Sequence, residues 1–89
     1  MKLSDKKKEK ISEQILALLY SISPKPMFTS HISEEIVRDD ELVKVLLINL
    51  KKKGLVVEIK KNSKGKIYSK RSRWALSEQA YRVYKDNQQ

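Results

Sequence analysis

Between Asp39 and Lys61 the hydrophobic period of the chain changes once, and the change divides a helix from a strand. Val43, Leu46, Leu47 and Leu50 recur at the i, i+3, i+4, i+7 spacing of a single helical face. Asp39 is placed to cap this helix, and Asp40 and Glu41 fall in its first turn, where the backbone dipole favours negative charge. Lys51, Lys52 and Lys53 fall in its last turn, where the dipole favours positive charge, and Gly54 supplies the left-handed stop. Beyond Gly54 the period becomes 2. Leu55, Val57 and Ile59 alternate with Val56, Glu58 and Lys60, the pattern of a half-buried strand. The reading is a helix over about 40–53 feeding directly into a strand.

The flanking stretches add three more helices. Ile11, Ile15, Leu18, Leu19 and Ile22 form the inner stripe of a first helix over about 5–22, capped by Ser4 and ended before Pro24. Leu16 and Tyr20 make a second, smaller patch on roughly the opposite side, either ordinary surface or a subunit contact. A loop over 23–26 and a short extended segment over 27–29 lead to Ser30, read as the cap of a short helix over about 31–37 with Ile32 and Ile36 inward. The connection to the next helix is so short that the two form a helix-turn-helix, although the turn lacks its frequent glycine.

After the strand, Asn62, Ser63 and Gly65 supply turn chemistry. On the return, Tyr68, Lys70, Ser72, Trp74 and Leu76 share one parity, which sets Trp74 and Leu76 against the core. Either the hairpin pairs tightly up to Ile67, or only Arg73 to Leu76 pairs and residues 61–71 form a long mobile loop. Repulsion among Lys60, Lys61, Lys64, Lys66 and Lys70 favours the second near the tip. Ser77 caps a last helix over about 78–86, with Ala80, Tyr81, Val83 and Tyr84 on a broad apolar arc. A helix that short is marginal alone, so it must dock on the first helix of its own chain or of a second copy.

Composition narrows the function. The 89 residues make one domain, and a chain of this size buries only about 60% of the surface its unfolded form exposes, too little for a large enclosed active site. There is no cysteine, no secretory leader pattern and no long apolar run, which points to a cytoplasmic protein, nucleoid-associated if prokaryotic or viral. The net charge of +9 is concentrated: residues 51–76 hold ten basic groups against one acidic, whereas residues 29–50 hold two against five. So local a cationic field attracts polyanions, nucleic acid first. A membrane surface is not expected, since the basic segment lacks the apolar face of an interfacial helix. His31 is the sole histidine and reads as a surface residue in a first helical turn. No nucleophile, acid-base pair, phosphate loop or metal-ligand set is apparent, so catalysis, a metal, a cofactor and a small-molecule ligand are not expected.

The segment LINLKKKGLVVEIKK resembles the end of the third helix and the first wing strand of the winged helix-turn-helix superfamily, whose pattern is hydrophobic-x-x-Leu-x-x-x-Gly-Leu-Val. WALSEQAY resembles its second wing strand and the exit into a last helix. The likeness covers residues 11–84, and small lysine-rich, cysteine-free versions look like archaeal, viral or plasmid transcription regulators. It implies an α+β fold: a three-helix core, a two- or three-stranded wing over 55–76 and a C-terminal helix. It further implies that the third helix reads double-stranded DNA and that Lys60 to Arg73 form the wing.

On that frame the outward arc of the third helix holds Glu41, Val45, Ile48 and Lys52, flanked by Lys44, Asn49 and Lys51. Lys44, Lys51 and Lys52 suit phosphates or base edges, Asn49 suits adenine, and Val45 and Ile48 suit thymine methyls. Asp39, Asp40 and Glu41 oppose this, because carboxylates at the start of a reading helix repel phosphate. In the wing, Lys60, Lys61, Lys64, Lys66, Lys70, Arg71 and Arg73 are the phosphate contacts, with Arg71 or Arg73 suited to a minor groove. A homodimer joined through Leu16, Tyr20, Tyr81 and Tyr84 would present two half-sites. Two alternatives stand beside DNA binding: a protein-interaction module using Val45 and Ile48, and an RNA- or ribosome-associated winged helix.

Overall fold

The computed structural model describes residues 4–60 and 72–87. Its elements are α1 (Asp5–Ile22), β1 (Met27–Phe28), α2 (Thr29–Ile36), α3 (Asp40–Lys52), β2 (Val56–Ile59), β3 (Arg73–Leu76) and α4 (Glu78–Asn87). The strands form an antiparallel sheet in the order β1-β3-β2. Trp74 in the central strand lies between Met27 on one side and Glu58 on the other, and it is fully buried. The stripes of α1, α2 and α3 close over it with Ile15, Leu19, Ile32, Val43 and Leu47. This is the three-helix core and three-stranded wing root of a winged helix-turn-helix, an α+β fold.

Local chemistry explains most boundaries. The Ser4 hydroxyl accepts from the Lys7 N–H at 3.3 Å, and the Asp39 carboxylate accepts from the Leu42 N–H at 3.4 Å. Each satisfies a donor that a helix start leaves open. Gly54 takes φ +77°, and the Leu55 N–H returns to the Leu50 carbonyl at 3.0 Å, so α3 turns straight into β2. Ser77 closes the root of the wing from the other side. Its hydroxyl donates to the Gly54 carbonyl at 2.8 Å and accepts from the Ala80 N–H at 3.1 Å, so one side chain caps α4 and pins it to the α3–β2 turn.

Four expectations need correction. Ser30 is not the cap of α2. The helix begins at Thr29, directly after extended Phe28, and no side chain caps it, because strand pairing of Phe28 with Arg73 leaves no loop residue between strand and helix. Leu16 is not on a separate outer patch; it is 8% exposed and joins Leu46, Leu50 and Leu55 along the seam between α1 and α3. The strand parity of β2 is inverted. Val56 is buried and Val57 exposed, since their partners Leu76 and Ala75 follow the inward face that Trp74 sets. The apolar arc of α4 is narrower than expected: Ala80 is buried and Tyr84 half-buried, while Tyr81 and Val83 are exposed.

The turn without a glycine has its own solution. Val37 itself adopts the left-handed conformation, φ 54° and ψ 56°, and the Val37 and Arg38 N–H groups bond to the carbonyls of Glu34 and Ser33. That is the hydrogen-bonding of a glycine-terminated helix carried by a β-branched residue.

Candidate nucleic-acid interface

The core face of α3 fixes which side chains look outward. With Val43, Leu46, Leu47 and Leu50 buried, the opposite arc presents Glu41, Val45, Ile48 and Lys52, all exposed. Val45 is 53% and Ile48 37% exposed, apolar surface that the domain core does not cover. The two flanks of that arc differ. Lys44 faces a cleft of about 330 Å³ shared with Asp40, Glu41, the start of α2 and Ser72 at the entry to β3. Asn49, on the other flank, lines the seam toward α1 with Asp5, Glu9, Glu13 and Lys53. Lys44 therefore borders the wing side of α3 and Asn49 the side toward α1, where Lys8 lies among the three acids. The three carboxylates at the start of α3 remain exposed, Asp40 and Glu41 in the cleft.

Lys51 is engaged within the fold. Its ammonium lies 2.9 Å from a Glu58 carboxylate oxygen, and the other oxygen of Glu58 accepts from the Ser72 hydroxyl at 2.5 Å. The side chain of Glu58 is only 13% exposed. Burial would raise its carboxyl pKa, but the Ser72 hydroxyl and Lys51, with Lys60 further off, outweigh that and hold it below the usual 4.5. Glu58 and Ser72 were not singled out from the sequence. The available signal was that Glu58 is the one acid among residues 51–76.

In the wing, Lys60 is exposed at the end of β2, and Arg73 is half-buried in the central strand, paired with Phe28 and Ile59. Lys61, Lys64, Lys66, Lys70 and Arg71 lie outside the described residues, as does the choice between tight hairpin and long loop. His31 packs edge-on against Phe28 at 5.6 Å on the exposed start of α2. Among the described residues, no group of three or more histidines and acids is placed to hold a metal, and no helix is long and apolar enough to cross a membrane.

The residues expected at a subunit contact meet one another within the chain. Tyr20 of α1 stacks on Tyr84 of α4 at 5.5 Å and tilts against Tyr81 at 5.4 Å. The last helix thus docks on the first helix of its own chain, and Leu16 lies beneath in the core.

No protein-family model matches the chain, and no curated protein does. Solved structures do. MepR of S. aureus in its DNA-binding conformation superposes with a TM-score of 0.69 at 20% identity over 92% of this chain. A Ralstonia eutropha protein assigned to DNA binding gives 0.69 at 12% identity, covering 90% of this chain and 96% of its own. A variant of Lactococcus lactis ZitR in apo form gives 0.65 at 19% identity over 89% of this chain. The chain spans 54% of the length of a MepR variant, 57% of that of the ZitR variant and 61% of that of MepR itself. These likenesses establish the fold, that of a winged helix-turn-helix.

Proposed function

We propose that the domain binds double-stranded DNA as a transcription regulator, with the wing on phosphates and the outward arc of α3 toward the major groove. The observation that carries this reading is the charge distribution on this fold. Ten basic groups lie in residues 51–76: Lys51 and Lys52 end α3, Lys53 caps it, Lys60 follows β2, Arg73 opens β3, and the other five belong to residues 61–71. A protein of similar fold supports the reading: a MepR variant bound to an oligodeoxyribonucleotide superposes with a TM-score of 0.65 at 20% identity. Phosphate contact is assigned to Lys44, Lys52 and Lys60 among the described residues, and to Lys61, Lys64, Lys66, Lys70 and Arg71 beyond them. Arg73, half-buried, contributes at the base of the wing. Val45 and Ile48 supply apolar contacts of the kind that thymine methyls accept.

The test is selection of bound oligonucleotides from random duplex and RNA pools at near-physiological salt. Enrichment of a duplex motif, with affinity falling steeply as salt rises, is the expected result. Enrichment from the RNA pool alone would overturn the DNA reading. A second reading, a protein-interaction module, rests on the exposure of Val45 and Ile48 beside Asp40 and Glu41. It wins if Val45→Ala and Ile48→Ala leave duplex binding untouched while abolishing a protein complex. A homodimer is also part of the proposal, through the exposed Tyr81 and Val83 of α4; light scattering at the 10.4 kDa monomer mass at high concentration would refute it.

A further inference from the structure

Glu58 occupies an unusual place for an acid. It is the one acid against ten basic groups in residues 51–76, on the inward parity of β2, directly across from buried Trp74. Its two carboxylate oxygens are taken by different elements: Lys51 of the last turn of α3 at one, Ser72 at the entry to β3 at the other. One carboxylate therefore joins the end of the outward-facing helix to both strands of the wing. The covalent link between α3 and β2 is a glycine turn, which by itself leaves the angle between helix and wing soft. The Glu58 side chain, 13% exposed against 50% for Lys51, holds a partner on each oxygen and so restricts that freedom.

We propose that Glu58 is a positioning residue, bracing the wing against α3 so that one duplex meets both at once. The inference rests on the DNA-binding reading above. It also reassigns Lys51 from a phosphate contact to the partner of this brace.

Two effects of Glu58 on binding have opposite sign, which makes the role measurable. As a mere charge, Glu58 repels phosphate, so removing it strengthens binding. As a brace it aligns two contact surfaces, so removing it weakens binding even though the protein loses one negative charge. The experiment measures affinity for a random-sequence duplex across a salt series for the full chain, Glu58→Gln, Ser72→Ala and Ser72→Thr, with thermal melts to verify folding. Alongside, spin labels at Gln14→Cys on α1 and Lys60→Cys at the end of β2 report the wing angle without DNA, in the chain with and without Glu58→Gln. Glu58→Gln is expected to weaken binding about fivefold, with an unchanged salt slope, and to broaden the label distance distribution. Ser72→Ala should move in the same direction, and Ser72→Thr, which keeps the hydroxyl, should restore binding. Binding by Glu58→Gln that equals or exceeds that of the unaltered chain, or an unchanged distance distribution, would overturn the brace. A broadened distribution in a protein that binds no duplex would instead keep the brace and sink the DNA reading.

Discussion

The indole N–H of Trp74 donates to the Thr29 hydroxyl at 2.8 Å, across forty-five positions of sequence. This bond ties the central strand of the wing to the first residue of the helix-turn-helix. Trp74 is fully buried, so no water can replace the partner. Thr29→Val keeps the shape and removes the acceptor, which should cost about 1–3 kcal/mol, while Thr29→Ser should retain most of the stability. Trp74 is the only tryptophan, so its fluorescence in a denaturant titration reads the change at the site itself. A Thr29→Val midpoint equal to the parent's would refute the assignment.

Val37 should be a site of easy stabilisation. A β-branched residue at φ 54° is strained by about 1–2 kcal/mol, and at 83% exposure its side chain gains little packing in return. Val37→Gly relieves the strain but loses more chain entropy on folding, leaving a net gain of about 0.5–1 kcal/mol. The midpoint of chemical unfolding should rise. A fall would mean that the valine makes a contact outweighing its backbone strain.

These two sites show where sequence reading succeeds and stops. The limits of α1, α3 and α4 were legible to within a residue or so because capping and periodicity are local: Ser4, Asp39, Gly54 and Ser77 each act within one helical turn. The inward direction of Trp74 and Leu76 was legible for the same reason. The start of α2 was not, because it depends on Phe28 pairing with Arg73 far along the chain. The face of β2 was misread because Leu55–Ile59 is apolar on both parities, and only the register with β3 decides between them. The ring stack of Tyr20, Tyr81 and Tyr84 was legible as docking, but whether within or between chains is set by the path after Ser77. The Lys51–Glu58–Ser72 group belongs to the same class: an outward lysine and a strand glutamate meet only once the turn at Gly54 is built.

The tyrosine stack should leave a signature at high pH. Burial, reinforced by the charge of Glu13, raises the phenol pKa of Tyr84 above the ordinary 10.0. The unfolded chain ionises this group first, so its contribution is complete below pH 10.0 and is lost as pH rises through the folded value. Tyr84→Phe removes the ionisation and keeps the ring. Thermal melts should show the difference between Tyr84→Phe and the parent shifting in favour of the variant above about pH 10. A constant difference across the alkaline range would show that Tyr84 is not buried in solution.

At low pH the group to follow is Glu58. Its carboxyl pKa lies below 4.5 in the folded chain, so the folded state holds the ionised form more strongly than the unfolded state does. Its contribution is present above pH 4.5 and is lost as pH falls through the folded value. Glu58→Gln should therefore be less stable than the parent at neutral pH, with the two converging as the solution is acidified. Melts at a series of pH values, at fixed ionic strength, check this. Curves that stay parallel into the acid range would mean that the carboxylate gains nothing from Lys51 and Ser72.

The two flanks of α3 lead to a last prediction, about how the helix would read DNA. Lys44 opens onto the cleft toward Ser72 and the wing, whereas Asn49 lies in the seam toward α1, among Asp5, Lys8, Glu9, Glu13 and Lys53. Phosphate held by the cationic wing meets Lys44 on the wing side of α3, whereas Asn49 is turned toward α1 and away from the wing. Lys44→Ala should therefore weaken duplex binding and lower the salt slope by about one, as expected for a single lost phosphate contact. Asn49→Ala should leave affinity and sequence preference nearly unchanged. The measurement is affinity for the selected duplex, and for single-base variants of it, at several salt concentrations. If Asn49→Ala instead relaxes preference at an adenine, the helix enters the groove on its α1 side and Asn49 is a reading residue.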